Sequence, residues 1–219
     1  MKLDIFDFDG TLVRTPVNTP ENIKKYEKAT GIPWIIDKNL ARELSNKHGK
    51  HIGMRRGWFG RAETLEPPLV PDPCPRSLGI TEVIDQFHES KRNKNTRTLI
   101  VTGRHAGLKS QVLRICGDLG LISVRRKKSE KEKLFVENLD KDVTLYCLGD
   151  DGPGKCKTTP TKPNETFPWK MWLIEMFAEY YPELEEIEIW EDRQEHFLNF
   201  QTQIPEKIPH PFKVNLVSG

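Results

Sequence analysis

At 219 residues and a formal net charge of +2, the chain is long enough for one substantial α/β domain with an insertion and short for two domains of ordinary size. Charged residues make up 30% and the apolar set 36%, so a core forms only if the apolar residues are concentrated, and the near-balanced charge excludes a global electrostatic drive toward nucleic acid or membrane. No apolar run approaches the ~20 residues that span a bilayer, and Met1 leads into a charged strand without an apolar signal region; a soluble, cytoplasmic protein is expected.

The run Lys2 to Phe8, closed by Gly10, predicts a buried parallel strand ending in a turn. Pro20 to Thr30 and Lys38 to Lys47 have helical composition, whereas Gly49 to Pro75 is rich in Gly, Pro and Trp and shows no long period, so residues 16–75 are expected to form a cap-like insertion in a core of 1–15 and 76–219. Beyond it the pattern predicts a helix from Thr81 to Lys91, a strand from Arg97 to Val101 and a helix from His105 to Leu119. A short strand over Leu121 to Val124, a helix over Glu130 to Leu139 and a strand over Val143 to Leu148 follow. After the proline-bearing loop Gly149 to Thr166 come a helix from Phe167 to Tyr181, a strand from Glu186 to Trp190, a helix from Arg193 to about Phe200 and an edge strand over Phe212 to Val217. Strands alternating with helices predict a single α/β domain built on a doubly wound, mostly parallel sheet. In such sheets ligands bind beyond the carboxyl ends of the strands, so functional residues are sought there.

Asp7 and Asp9 end the first strand, and a spacing of two puts both carboxylates toward one side of an extended backbone. Phosphoryl transfer needs a nucleophile in line with the leaving group, a proton donor and cations against the phosphate oxygens; two carboxylates fill the first two roles and help hold Mg²⁺. The plain alternative is a polar turn capping a strand. Leu99 to Arg104 repeats the arrangement with a hydroxyl at Thr102, which suits either a phosphate or a helix cap. Asp192, at the end of a third strand, suits the hard oxygen site that Mg²⁺ prefers, or else starts the last helix in capping-box spacing with Glu195. Lys170, early in the preceding helix, can reach a phosphate and balance the carboxylates.

Two further constellations compete. Leu148-Gly149-Asp150-Asp151 also ends an apolar strand in acid, with Lys131 or Lys133 upstream, and could supply the last two elements in place of Lys170 and Asp192. Gly149 to Cys156 nearly spells a P-loop, but Cys156 replaces the Ser or Thr that binds Mg²⁺, and Pro160 and Pro163 deny the helix that should follow. ATP binding there is rejected. Cys74, Cys116, Cys147 and Cys156 form no CxxC pair and are expected to be reduced thiols without a structural metal. The basic runs Lys91 to Lys94 and Arg125 to Lys128 read as solvated faces.

In order, Asp7 and Asp9, Thr102, Lys170 and Asp192 resemble the four motifs of the haloacid dehalogenase (HAD) superfamily of phosphohydrolases. More narrowly, the Swiss Army Knife RNA repair-like branch is resembled through Phe6 to Thr11, Gly57-Trp58-Phe59, Pro67 to Pro71, Thr102-Gly103-Arg104 and Trp190 to Arg193 with His196. The resemblance implies that Asp7 becomes an aspartyl-phosphate and that Asp9 protonates the leaving group and then activates water. It implies a substrate-binding set of Thr102, Gly103, Arg104, Lys170 and Arg193, and Mg²⁺ held by Asp7, the backbone carbonyl of Asp9, and Asp192. The acid followed by Asp192-Arg193 also resembles phosphatase domains acting on 3′-phosphorylated nucleic-acid ends, so RNA or DNA ends are the expected substrate. A phosphotyrosine or small-metabolite phosphatase and a catalytically inactive RNA- or protein-binding module remain the alternatives. In the insertion, Trp34, Trp58 and Phe59 could stack on a base, with Arg55, Arg56 and Arg61 for phosphate, or could pack a small subdomain.

Overall fold

The computed structural model describes residues 1–34, 38–48, 57–128, 134–154 and 162–218. The chain opens with β1 (Lys2–Asp7), then α1 (Pro20–Thr30) and α2 (Lys38–His48) of the insertion. It continues through α3 (Thr81–Arg92), β2 (Thr96–His105), α4 (Lys109–Asp118), β3 (Val124–Lys128), β4 (Leu134–Asn138) and β5 (Val143–Leu148). The last elements are α5 (Thr166–Tyr180), β6 (Glu186–Glu191), α6 (Gln194–Lys207) and β7 (Phe212–Leu216). Five strands form one parallel sheet in the order β5-β2-β1-β6-β7, the mostly parallel, doubly wound α/β architecture expected.

Strand periodicity sends alternate residues of β1 to opposite layers. Leu3 and Ile5 join Leu99, Val101, Ile187 and Ile189 in a core with α5, whose Trp169, Leu173 and Phe177 are buried, and with Phe200 and Ile204 of α6. Phe6 and Phe8 point the other way, into a core with Phe87 of α3 and Val112, Ile115 and Cys116 of α4. There Phe6 stacks on Trp190 at 4.1 Å between centroids and meets the edge of Phe87 at 5.2 Å. Buried on both faces, β1 is the centre of the molecule, and its C-terminal end opens between two strand neighbours.

Two predicted elements differ. Leu121 and Ile122, expected to be a strand, are buried in the turn after α4, and the strand begins only at Val124. The expected helix over Glu130 to Leu139 is strand β4 over Leu134–Asn138, paired antiparallel with β3; residues 130–133 lie outside the described residues. The physical cause is a period of two: Val136 is buried against the α4 side of the core while Phe135 faces solvent. Cross-strand pairing also absorbs part of the basic run, since Glu137 lies 3.8 Å from Arg125 and 3.5 Å from Lys127. β2 runs to His105, so α4 starts later than expected, and α6 continues to Lys207 with Pro205 inside it.

The insertion is anchored on the core. Thr19 caps α1 by accepting from the Asn22 N–H, Pro20 follows at the first helical position, and Gly31 ends the helix with φ at 67°. Tyr26, Trp58 and Leu69 form a small cluster with Trp34 and Phe59, while Leu65, Val70 and Cys74 are buried in the main core. Truncation of Phe87, the residue that joins β1 to α3, should leave a cavity that costs about 3–5 kcal/mol. Urea denaturation of Phe87→Ala measures it, with the midpoint falling and the slope unchanged.

Candidate active site

The odd-numbered residues of β1 face α5, and so do those of β6 with which they are in register, Ile5 lying beside Ile189. One step further along each strand, the apolar side chains are replaced by Asp7 and Glu191. α5 presents Lys170 to both: its Nζ lies 2.8 Å from Asp7 Oδ1 and 2.7 Å from Glu191 Oε2. His196 Nδ1, on the first turn of α6, stands 3.2 Å from the same Glu191 oxygen. Asp7, Lys170, Glu191 and His196 are all buried.

Asp192 follows β6 and joins Asp7 and Glu191 in a group whose nearest carboxylate oxygens all lie within 4.8 Å of one another. Gly10 makes this convergence possible: it turns with φ at 77°, and a Cβ there would overlap the Asp192 carboxylate. Gly103 has a comparable task for α5. A Cβ on it would come within 2.7 Å of Thr166 Cγ2, so its lack of a side chain lets the start of the helix bearing Lys170 pack on the end of β2.

The electrostatics follow from three neighbouring carboxylates, two of which, Asp7 and Glu191, share one ammonium. Burial alone would raise Glu191, yet the Lys170 charge and the His196 and Lys170 contacts hold it well below the usual carboxylate range. Burial pushes Asp7 up to about 8, with Glu191 and Asp9 adding and Lys170 opposing. Burial and the neighbouring Glu191 push Asp192 up to about 6. Burial opposes the charge on Lys170, but Asp7 and Glu191 overcome it and raise Lys170 above its ordinary value. Fully ionised, the three carboxylates and Lys170 would carry two negative charges in excess, the deficit a divalent cation fills, and the buried Asp192 Oδ1 has no hydrogen-bond partner among the described residues. The donor set is hard oxygen throughout and fits Mg²⁺.

Asp9 has a different surrounding. Its Oδ1 accepts from Thr15 Oγ1 at 2.7 Å and from Arg104 Nη2 at 2.7 Å and Nε at 3.0 Å. Its Oδ2 accepts from Arg104 Nε at 3.0 Å and Thr102 Oγ1 at 3.2 Å. Thr102 and Arg104, both expected on substrate, are fully buried and face Asp9. Arg193, half-buried at the start of α6, lies with its guanidinium 5.8 Å from the Phe59 ring.

The competing acids stand apart from Asp7. Asp150 accepts from the Cys147 N–H and from Lys109, both at 3.0 Å, and Asp151 pairs with Lys162 at 2.8 Å on the surface beyond the edge strand β5. Lys131, Lys133, Cys156 and Pro160 lie outside the described residues, as do Arg55 and Arg56. In the insertion Trp58 is buried with its Nε1 donating to the Pro16 carbonyl at 2.7 Å, and Arg61 donates to Tyr26 Oη at 2.8 Å while stacking on Trp34 at 4.3 Å. These side chains pack the insertion. Phe59 alone of the aromatic set reaches toward the site, with Arg104 5.2 Å from its ring.

Sequence reasoning gave no role to Glu191, His196 or Thr15. The signal for Glu191 was strand parity: Ile187, Ile189 and Glu191 alternate toward α5 as Leu3, Ile5 and Asp7 do. Thr15 carries no such signal, because its contact with Asp9 depends on the path of a turn.

A parallel sheet with an acid pair at the end of its central strand, and a lysine and a second acid group meeting it there, defines a protein of the HAD type. Within that class, the chain belongs to the family described as HAD domain family 1 in Swiss Army Knife RNA repair proteins, whose model matches residues 43–216. The activity this family suggests is phosphohydrolysis. No curated protein matches the sequence. Among solved structures the chain is similar to one titled "Crystal structure of Legionella pneumophila effector Ceg4 with N-terminal TEV protease cleavage sequence". The two share 12% identity over 98% of this chain and 85% of that one, with a TM-score of 0.46.

Asp7 and Asp192 bind protons more tightly folded than unfolded, so their contribution to stability is full below about pH 4. It is lost as pH rises through about 6 for Asp192 and about 8 for Asp7. Glu191 is depressed and contributes no slope in that window. The chelated protein should therefore lose melting temperature between pH 5 and 8, and Mg²⁺ should raise it more at pH 8 than at pH 5, as differential scanning calorimetry would record.

Proposed function

We propose that the protein is a Mg²⁺-dependent phosphatase with Asp7 as nucleophile, acting on phosphorylated RNA or DNA ends. The observation that carries this reading is the Asp7 carboxylate set 2.8 Å from the buried Lys170 ammonium, with Glu191 and Asp192 converging on it. Asp7 and Asp192 would hold the ion, with the Asp9 carbonyl as a third ligand implied by the family resemblance. When bound, Mg²⁺ supplies positive charge against the carboxylates and the phosphate oxygens.

The chain's own groups account for the remaining chemistry. Asp7 Oδ attacks phosphorus while the bond to the leaving oxygen breaks, and Asp9 delivers a proton to that oxygen. The resulting aspartyl-phosphate is hydrolysed by water that gives its proton back to Asp9, which releases phosphate and restores Asp7. Lys170, fixed by Glu191, balances the charge on the transferring group, and His196 holds Glu191 in place. The Gly103 amide and Arg193 are the remaining members of the phosphate-binding set, while the Thr102 hydroxyl, donated to Asp9, serves that carboxylate instead. For the nucleic-acid substrate, support comes from the family's occurrence in RNA repair proteins and from the Asp192-Arg193 pair after β6.

Turnover of a generic aryl phosphate, a 3′-phosphorylated oligoribonucleotide and a phosphotyrosine peptide, each with Mg²⁺ or chelator, tests the reading. The oligonucleotide should be the best substrate, and Asp7→Asn should abolish turnover. Asp192→Asn should raise the Mg²⁺ needed for half-maximal rate, while Asp151→Asn should leave it unchanged. No Mg²⁺-dependent turnover of any substrate contradicts the phosphatase reading, and preference for the peptide removes the nucleic-acid role.

A further inference from the structure

Among the described residues Arg104 is the largest charged side chain with no exposure at all, and it serves two parts of the molecule at once. One edge of its guanidinium engages Asp9 through Nε and Nη2 at 2.7 to 3.0 Å. Its Nη1 donates to the Phe59 carbonyl at 3.0 Å and to Thr64 Oγ1 at 2.9 Å, both in the insertion. Thr64 is also fully buried and in turn donates to the Arg61 carbonyl at 2.7 Å, and the Phe59 ring lies against the Arg104 guanidinium. Four of the five guanidinium N–H groups are thus assigned to these partners, and a planar guanidinium cannot tilt for one partner without disturbing the others.

We propose that Arg104 is a positioning residue that couples the seat of the insertion, through Phe59 and Thr64, to the orientation of Asp9. The proposal rests on the phosphatase reading for its catalytic meaning, since it assigns the insertion a part in aiming the acid and base. A segment over Phe59 to Thr64 that is seated holds the guanidinium square to Asp9, and the carboxylate keeps the rotamer in which Thr15 and Thr102 complete its contacts. A segment that shifts takes Nη1 with it and frees Asp9 to turn. Arg104 therefore acts through Asp9 and not on the substrate, and a substrate that displaces the segment changes proton delivery before any chemistry occurs.

Two measurements on the full chain test this. The first needs no activity: hydrogen exchange over residues 57–65 should quicken about tenfold in Asp9→Asn and in Arg104→Gln, as expected when a charge-assisted contact is lost, with β6 unchanged. Unchanged exchange in Asp9→Asn overturns the coupling. The second compares an alkyl phosphate, whose leaving group needs a proton, with 4-nitrophenyl phosphate, whose leaving group does not. Arg104→Gln should lower kcat about 10²-fold on the first and less than about tenfold on the second. Thr64→Val, which keeps the side-chain shape and loses the hydroxyl, is the second variant should Arg104→Gln fail to fold; it should lose about fivefold on the alkyl ester alone. Equal loss on both esters, or none on either, overturns the proposal. A wild type that turns over neither ester nor the 3′-phosphorylated oligoribonucleotide contradicts the phosphatase reading, and the exchange result then decides the coupling by itself.

Discussion

Two buried carboxylates, Asp7 and Glu191, share a single ammonium at the end of β1 with the half-buried Asp192 beside them, and much of the sequence is arranged to make that tolerable. Like charges in a low-dielectric surrounding resist ionisation, which is why Asp7 and Asp192 rise while Glu191, the group closest to both Lys170 and His196, is the one that stays ionised. The unequal division is useful. Glu191, held well below the usual carboxylate range, locks Lys170, and burial leaves Asp7 as the carboxylate pushed up to about 8.

The scaffold delivers these groups by simple means. β1 and β6 are in register and bury the same parity against α5, so the step at which Ile gives way to Asp7 on one strand and Glu191 on the other lands both acids beside Lys170. Two glycines permit the close approaches: Gly10 admits the Asp192 carboxylate, and Gly103 admits the start of α5. α5 is buried nearly all round, from Trp169 to Ile174, so that apolar packing surrounds the helix that presents the ammonium. Asp9 belongs to a second, self-contained arrangement with Arg104, Thr102 and Thr15, and that arrangement reaches into the insertion.

Where the chemistry depends on strand ends, it was legible from sequence. An apolar run closed by acid or hydroxyl reads directly as a parallel strand pointing at a site, and Asp7, Asp9, Thr102 and Asp192 all carry that mark. Lys170 was legible through family resemblance, since a helical lysine has no local signature of burial. Glu191 sat beside Asp192 in the same motif, and separating the two requires the parity of β6. Arg104, next to a phosphate-type hydroxyl, suggested a substrate ligand; its contacts with Phe59 and Thr64 arise from residues some 40 positions upstream, and no periodicity reports such pairing. The β3–β4 hairpin was missed because a strongly charged segment looks helical until the buried Val136 and its solvent-facing neighbour Phe135 set a period of two.

As the proposed nucleophile, Asp7 would carry the phosphoryl group during turnover. Acid quenching during turnover, reduction with borohydride and mass spectrometry of the peptide containing Phe6 to Thr11 test it directly, because an acyl phosphate is reduced to homoserine at the residue that bore it. Homoserine is expected at Asp7 only when substrate and Mg²⁺ are both present. Sustained turnover with Asp7 unmodified, or modification at Asp9 or Asp192 instead, would contradict it.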